Sequence, residues 1–139
     1  MKEAINVRWA GDMAFEAAVS GHTVLMDARE EVGGHDQGPR PKALMKASLA
    51  GCTGMDVVVI LRKMREPLRH FRVFVEAELS DGQPAVYERM RVVYEFSRGD
   101  GLTESKVERA VSLSQEKYCG VSAMLRKAAE LTHEIRFVD

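Results

Sequence analysis

The sequence has only two cysteines, Cys52 and Cys119, and they stand sixty-seven positions apart. A constitutive disulfide between them is not expected in the cytoplasm, because that compartment keeps thiols reduced. The four histidines are scattered singly and no C-x-x-C or H-x-x-x-H pair occurs, which argues against a metal site. The two thiols are therefore either inert or redox-active.

The sequence also lacks a charge imbalance and a long apolar run. Its 20 Lys and Arg residues are interleaved with 21 Asp and Glu residues, so no surface for nucleic acid is indicated. The first residues lack the apolar core of a signal peptide, and the longest aliphatic run covers only residues 57–61. No glycine follows a strand with dinucleotide-binding spacing, so no cofactor is predicted. We expect a cytoplasmic protein with one domain over residues 1–139 that binds neither nucleic acid nor membrane.

The longest helical pattern lies between Pro41 and Pro67 and has Cys52 near its centre. Pro41 suits the first turn of a helix, and Pro67 supplies a stop. A buried stripe is predicted from apolar residues at roughly helical spacing: Leu44, Met45, Leu49, Cys52, Met55, Val59 and Leu61. Two glycines flank Cys52 and loosen the helix, which allows a kink or a second helix start near Thr53.

Extended segments precede and follow this helix. Three short strands of a meander are predicted before it, over residues 5–9, 14–19 and 23–26. The glycine-rich residues 27–41 are predicted to form a surface loop. After the helix, residues 71–80 and 86–95 alternate with period two, which predicts a long antiparallel hairpin with one buried face.

The C-terminal part predicts a helix pair and a last strand. Residues 103–118 carry buried-type positions at helical spacing and are predicted as an amphipathic helix capped by Thr103. Cys119 interrupts it, and a short helix is predicted over residues 122–131 before a strand over residues 135–138. Cys119 thus falls near the N-terminus of the final helix, where the helix dipole favours a thiolate.

This order of elements resembles the OsmC/Ohr family of thiol-dependent peroxidases over nearly the whole chain. The most specific matches are Pro41, Leu44, Ala47 and Cys52. The run G-C-T-G-M-D-V-V-V-I-L-R-K is most like the YhfA-like branch, and Y-C-G-V-S near the end supplies Cys119. The resemblance implies an α+β fold and an intertwined homodimer, with two six-stranded sheets built from both chains around the long central helices.

The resemblance also implies an antioxidant function in the oxidative stress response. In that function Cys52 attacks the O–O bond of a small hydroperoxide, Cys119 resolves the sulfenic acid to a disulfide, and an external dithiol reduces the disulfide. Resolution needs the two Cα atoms to come within about 7 Å, directly or after a modest shift. At an unperturbed pKa of about 8.5, only about 3 per cent of a cysteine is thiolate at pH 7, so a nearby cation is needed.

The family supplies that cation from an arginine in the loop before the long helix. Arg29 matches it approximately, and Arg40 is the alternative. Family members commonly hold a glutamate just after the opening proline, where this sequence has Lys42 and Ala43. The carboxylate that would orient the arginine is therefore missing, or it comes from elsewhere: Glu30, Glu31 or Asp56.

The residues alone also fit a simpler interpretation. A cysteine on an apolar helix stripe is often a small buried hydrophobe, and an arginine in a polar loop is by default solvated. The competing function is a non-catalytic OsmC-like dimer that binds a small apolar molecule in the cleft between its subunits. A dimer is favoured in either case, because the long hairpin exceeds what three short strands can pair with and its edges would invite strands of a second copy.

Overall fold

The computed structural model describes residues 1–139, which divide into two units, Met1–Met45 and Lys46–Asp139. The first unit contains an antiparallel sheet in which β2 (Phe15–Val19) lies between β1 (Asn6–Trp9) and β3 (His22–Met26). Ser20 and Gly21 join β2 to β3 with φ values of 50° and 79°. Two positive φ angles are what a tight hairpin turn requires, so the predicted meander is confirmed.

The loop after β3 is organised by one buried carboxylate. Asp27 is 3% exposed and accepts the backbone N–H groups of Ala28, His35 and Gln37 at 2.7, 3.2 and 3.2 Å. These bonds, the one from Ala28 above all, hold the pKa of Asp27 below its ordinary value. The loop was predicted to be irregular, yet it includes a single 3₁₀ turn, Glu30–Val32.

The long helix α1 (Pro41–Lys63) begins at the predicted proline and runs without interruption through Thr53. The second helix start considered near Thr53 is therefore absent. Its buried residues follow a spacing of four: Leu49, Thr53, Val57 and Leu61, with Gly54 beside them. The predicted apolar stripe is partly wrong, because Met45, Met55 and Val59 are 46%, 73% and 49% exposed.

By length and composition alone, α1 could also cross a membrane. One such helix is weak support for a membrane segment, since core helices pass the same test. In the second unit, Leu49, Val57 and Leu61 pack into the hydrophobic core with strand and helix residues. This packing is that of a core helix.

The sheet of the second unit has β5 (Tyr87–Ser97) at its centre, between β4 (Phe71–Leu79) and β6 (Glu130–Val138). The β4–β5 pair is antiparallel, as predicted, and β6 joins β5 in parallel. Ion pairs join residues directly opposite each other on β4 and β5: Arg72 with Glu95, Glu76 with Arg91, and Glu78 with Arg89. Such cross-strand pairs add a small stabilisation to the register that the buried face sets.

The apolar face of this sheet forms the core of the second unit. The buried β5 residues of the core are Met90, Val92, Tyr94 and Phe96. They pack with α1 and with α2 (Glu104–Leu113), which buries Val107, Ala110 and Val111 as predicted. The predicted α+β class is therefore confirmed, and the single chain holds two three-stranded sheets.

The C-terminal helices differ from the prediction in two respects. Thr103 takes the N-cap position of α2, but its side chain makes no cap, and its N–H donates to Glu66 Oε1 at 2.6 Å. The last helix, α3, covers only Gly120–Leu125, whereas residues 122–131 were predicted to be helical. The ladder to β5 begins at Glu130, so pairing with the sheet overrides the helix propensity of these residues.

Candidate active site

Cys52 lies in the middle of α1, at the border between its buried and exposed faces. Its side chain is half-buried, whereas the next residue, Thr53, is 0% exposed. A Cβ added at Gly54 would lie 3.4 Å from Val73 Cγ2, so this glycine lets α1 approach β4 closely. The helix thus presents a partly accessible thiol above a tightly packed core.

Cys119 directly follows a π-helical turn. A π-helix, Ser114–Tyr118, continues α2, and the Cys119 N–H closes it by donating to the carbonyl oxygen of Ser114 at 2.8 Å. The Cys119 Sγ accepts the N–H of Ser122 at 3.3 Å, and the residue is 3% exposed. Single π turns are rare, and those that do occur are often found at functional sites.

The two thiols are neighbours. The Cys119 side chain and the backbone N–H of Val121 both lie close enough to Cys52 to act on the pKa of its thiol, and both cysteines are free. This neighbourhood agrees with the predicted pairing of Cys52 and Cys119, while their roles and the Cα separation of about 7 Å stay predictions. Of the two thiols, Cys52 is the one more accessible to a molecule from solvent.

The surroundings of Cys52 favour the neutral thiol. Burial raises its pKa above the ordinary value, and the neighbouring Cys119 side chain raises the pKa further. The N–H of Val121 acts in the opposite direction, while the carboxylate of Asp56 adds a small increase. The thiolate predicted at Cys52 thus needs a positive charge beyond these contacts.

The two candidate arginines, Arg29 and Arg40, lie in the first unit, and only Arg40 makes side-chain hydrogen bonds there. The Arg40 guanidinium donates to Asp36 Oδ1 and, at 3.1 Å, to the carbonyl oxygen of Gly38. Arg29 precedes the 3₁₀ turn with an exposed side chain that makes no hydrogen bond or ion pair within its unit. No acidic residue occupies the first turn of α1, so the orienting glutamate of the family pattern has no counterpart there.

A polar network runs beside the thiols through six side chains: Arg126, Gln115, Tyr94, Thr53, Ser114 and Asp56. Its four central members are buried: Gln115, Tyr94, Thr53 and Ser114. The Thr53 Oγ1 lies 2.6 Å from both the Tyr94 hydroxyl and the Ser114 Oγ. Burial is the main cause that raises the pKa of Tyr94, and the neighbouring Cys119 contributes to it.

Sequence reasoning missed this polar network. It assigned no hydrogen-bonding role to Tyr94, Ser114 or Thr53. A usable signal was present, because Thr53 and Ser114 are hydroxyl residues at buried positions of helical patterns, and buried hydroxyls require partners. Ser122 is the exception, since its buried Oγ has no hydrogen-bond partner.

No group of three or more His, Cys, Asp or Glu side chains is placed to hold a metal ion. The chemistry available at this site is therefore that of two adjacent thiols beside a buried polar network. Neighbouring thiols can be oxidised to a disulfide where their Cα atoms come within about 7 Å.

Two three-stranded sheets and a long helix with a paired thiol at its centre define an α+β protein with a dithiol site. The sequence profile described as "OsmC-like protein" matches residues 34–134, and the chain belongs to the OsmC family. It is 33% identical over 133 residues to Protein YhfA of Escherichia coli (strain K12), covering 95% of this chain and 96% of YhfA. The predicted likeness to YhfA is therefore confirmed.

Solved structures show the same fold. The chain is similar to an OsmC-like protein from Mycoplasma pneumoniae, with a TM-score of 0.81, 14% identity and coverage of 100% and 99% of the two chains. It is also similar to an organic hydroperoxide resistance protein from Legionella pneumophila, with a TM-score of 0.67, 14% identity and coverage of 100% and 98%. OsmC/Ohr family members are typically dimeric.

Proposed function

We propose that this protein is a thiol-dependent peroxidase that reduces organic hydroperoxides or hydrogen peroxide. The observation that carries the proposal is that the only two cysteines of the chain, sixty-seven positions apart, lie beside each other in the fold. The difference in exposure supports the roles: the half-buried Cys52 attacks the peroxide, and the buried Cys119 resolves the product. The hydroperoxide resistance protein of Legionella pneumophila shares the fold, which agrees with this chemistry.

The proposed cycle has three balanced steps. The Cys52 thiolate attacks the O–O bond, which breaks, so that Cys52 becomes a sulfenic acid and the leaving oxygen takes a proton to form an alcohol or water. The Cys119 thiol then attacks the sulfenic sulfur, forming the disulfide and releasing water. An external dithiol reduces this disulfide by exchange and is itself oxidised.

Arg29 is proposed to supply the positive charge that the Cys52 thiolate requires. The Arg29 guanidinium is exposed and makes no hydrogen bond within its unit, whereas the Arg40 guanidinium donates hydrogen bonds to Asp36 and Gly38. We expect Arg29→Ala to slow peroxide reduction about tenfold and to raise the pKa of Cys52. Arg40→Ala is the matched control and should leave both quantities unchanged.

The proposed protein is a single OsmC-like domain that acts as a cytoplasmic homodimer. Several large apolar side chains are exposed in the single chain: Trp9, Phe15, Met55, Val59 and Met124. Apolar surface of this kind is usual where a second chain binds. A partner that covers Met55 and Val59 would enclose the region of Cys52 on α1.

A non-catalytic dimer that binds a small apolar molecule is the second candidate. It is favoured by a groove between α1 and the end of α2, lined mainly by apolar side chains: Asp56, Val59, Ile60, Lys63, Met64, Leu113 and Tyr118. The raised pKa of Cys52 also agrees with an unreactive thiol. In this case the cysteines would contribute only to packing.

Hydroperoxide consumption by the purified protein with a panel of dithiols distinguishes the two candidates. The wild-type protein should turn over, Cys52→Ser should be inactive, and Cys119→Ser should form a sulfenic acid at Cys52 that a sulfenic-acid-specific probe traps. Alkylation of the wild-type protein across pH, with the modified cysteine identified by peptide mass spectrometry, reports the pKa of Cys52. A Cys52 that reacts only with a pKa above about 8.5, or only after unfolding, would exclude the peroxidase.

A further inference from the structure

The polar network links three elements of the second unit at the thiol pair. Thr53 follows Cys52 on α1, Tyr94 belongs to β5, and Ser114 begins the π-helix that directly precedes Cys119. The carbonyl oxygen of Ser114 also accepts the Cys119 N–H at 2.8 Å. The backbone around each cysteine is thus held through a residue of the network.

The hydroxyl protons of the network can point in only one direction. Ser114 Oγ donates to Asp56 Oδ2 at 2.8 Å, because a carboxylate can only accept. A serine has a single hydroxyl proton, so the 2.6 Å bond between Thr53 and Ser114 is donated by Thr53. By the same argument, Tyr94 donates to Thr53 across their 2.6 Å contact.

The other end of the network completes this direction. Gln115 Nε2 donates to the Tyr94 hydroxyl at 2.6 Å, and Arg126 donates to Gln115 Oε1 at 3.1 Å. Every donor therefore points away from the Arg126 cation and towards the Asp56 anion. A buried network in which every member is satisfied makes its region rigid, whereas a partly satisfied one is costly.

We propose that Thr53 and Tyr94 are positioning residues that hold the Cys119 thiol against Cys52 and thereby favour closure of the Cys52–Cys119 disulfide. This inference rests on the proposed two-cysteine cycle. Closure joins the two sulfurs and removes two protons and two electrons from the thiols. Oxidised glutathione accepts them and becomes two molecules of reduced glutathione, so closure can be measured without peroxide.

The test compares the disulfide equilibrium of the wild-type protein with that of variants that lose one hydroxyl. Each protein is equilibrated in glutathione buffers of known ratio, and the fraction of Cys52–Cys119 disulfide is measured. We expect Thr53→Val, which keeps the shape of the side chain, and Tyr94→Phe each to lower the equilibrium constant about fivefold or more. Thr53→Ser retains the hydroxyl and should restore the wild-type value.

The readout separates positioning from general stability. The equilibrium connects two folded states, so a substitution that destabilises both equally leaves the constant unchanged. Tyr87→Phe removes the same atom from the same strand outside the network and should behave as the wild-type protein. A constant that is unchanged or larger in both Thr53→Val and Tyr94→Phe would overturn the inference. A wild-type protein that forms no Cys52–Cys119 disulfide would instead refute the two-cysteine cycle itself.

Discussion

The imidazole Nδ1 of His70 lies 2.8 Å from Asp100 Oδ1, and the backbone N–H of His70 donates to Asp100 Oδ2 at 2.7 Å. The backbone N–H of Arg69 donates to the same oxygen at 2.8 Å. One carboxylate therefore fixes the start of the chain segment that enters β4. These hydrogen bonds, the one from the His70 ring above all, lower the pKa of Asp100 from 3.8 to about 2.

This lowered pKa predicts acid sensitivity. A carboxylate with a folded-state pKa below its unfolded value stabilises the fold above the unfolded pKa, and this contribution is lost as the pH falls through the folded pKa. For Asp100 the loss should fall between about pH 4 and pH 2. Urea unfolding across this range should show a smaller pH dependence for Asp100→Asn than for the wild-type protein. Asp81→Asn, in an exposed turn, serves as the control, and an equal pH dependence in Asp100→Asn would contradict the prediction.

We predict opposite changes in the free energy of unfolding when two buried serines, Ser122 and Ser114, are replaced by alanine. Ser122 Oγ is buried without a partner, so Ser122→Ala removes an unsatisfied polar group and should raise the free energy of unfolding by about 1 kcal/mol. Ser114→Ala deprives Thr53 and Asp56 of a partner and should lower it by roughly 1–3 kcal/mol. Denaturant titration of both variants measures the difference. A loss of stability in Ser122→Ala would mean that its hydroxyl is bonded in the assembled protein.

Gly34 predicts a large loss of stability on substitution. A Cβ added there would lie 2.0 Å from the carbonyl oxygen of Ala28, so Gly34→Ala must displace backbone and should cost about 1–3 kcal/mol or more. At Gly99 the nearest atom is Ser97 Oγ at 3.5 Å, an ordinary contact, so Gly99→Ala should change stability far less. Thermal unfolding compares the two. Equal effects would show that the loop around Gly34 can open at little cost.

We predict that a negative charge on the exposed apolar face of α1 weakens the proposed dimer. Val59 is 49% exposed in the single chain, and a partner that covers it would exclude an unpaired carboxylate. We expect Val59→Glu to shift the protein from dimer to monomer in sedimentation experiments at nanomolar to micromolar concentration. Arg62→Glu, an exposed position on the same helix, should leave the association unchanged. A wild-type protein that is a stable, folded monomer would contradict the proposed dimer.

The elements that could be predicted were those with a clear period or a strong stop. Pro41 and the run of glycines defined the start of α1, and alternation identified the β4–β5 hairpin. The end of the last helix was not predictable in this way. Residues near Glu130 have good helix propensity, and only the parallel ladder to β5, formed with residues about forty positions earlier, makes them a strand.

The thiol pair and its surroundings show the same limit. Periodicity placed Cys52 and Leu49 on one helix face, but it assigned Met55 and Val59 to that face because they are apolar. Thr53 is buried instead, since Tyr94 and Ser114 satisfy its hydroxyl from 41 and 61 positions away. Such partners are set by tertiary contacts, which the local pattern does not contain.

The parallel pairing of β6 with β5 has a consequence for synthesis of the protein. The β4–β5 hairpin and the helices are synthesised before Glu130–Val138. One edge of β5 therefore stays unpaired until this last strand joins the sheet. An open strand edge is a template for other chains. The last nine-residue strand, Glu130–Val138, therefore closes an edge of β5 that would otherwise be open to misassembly with other chains.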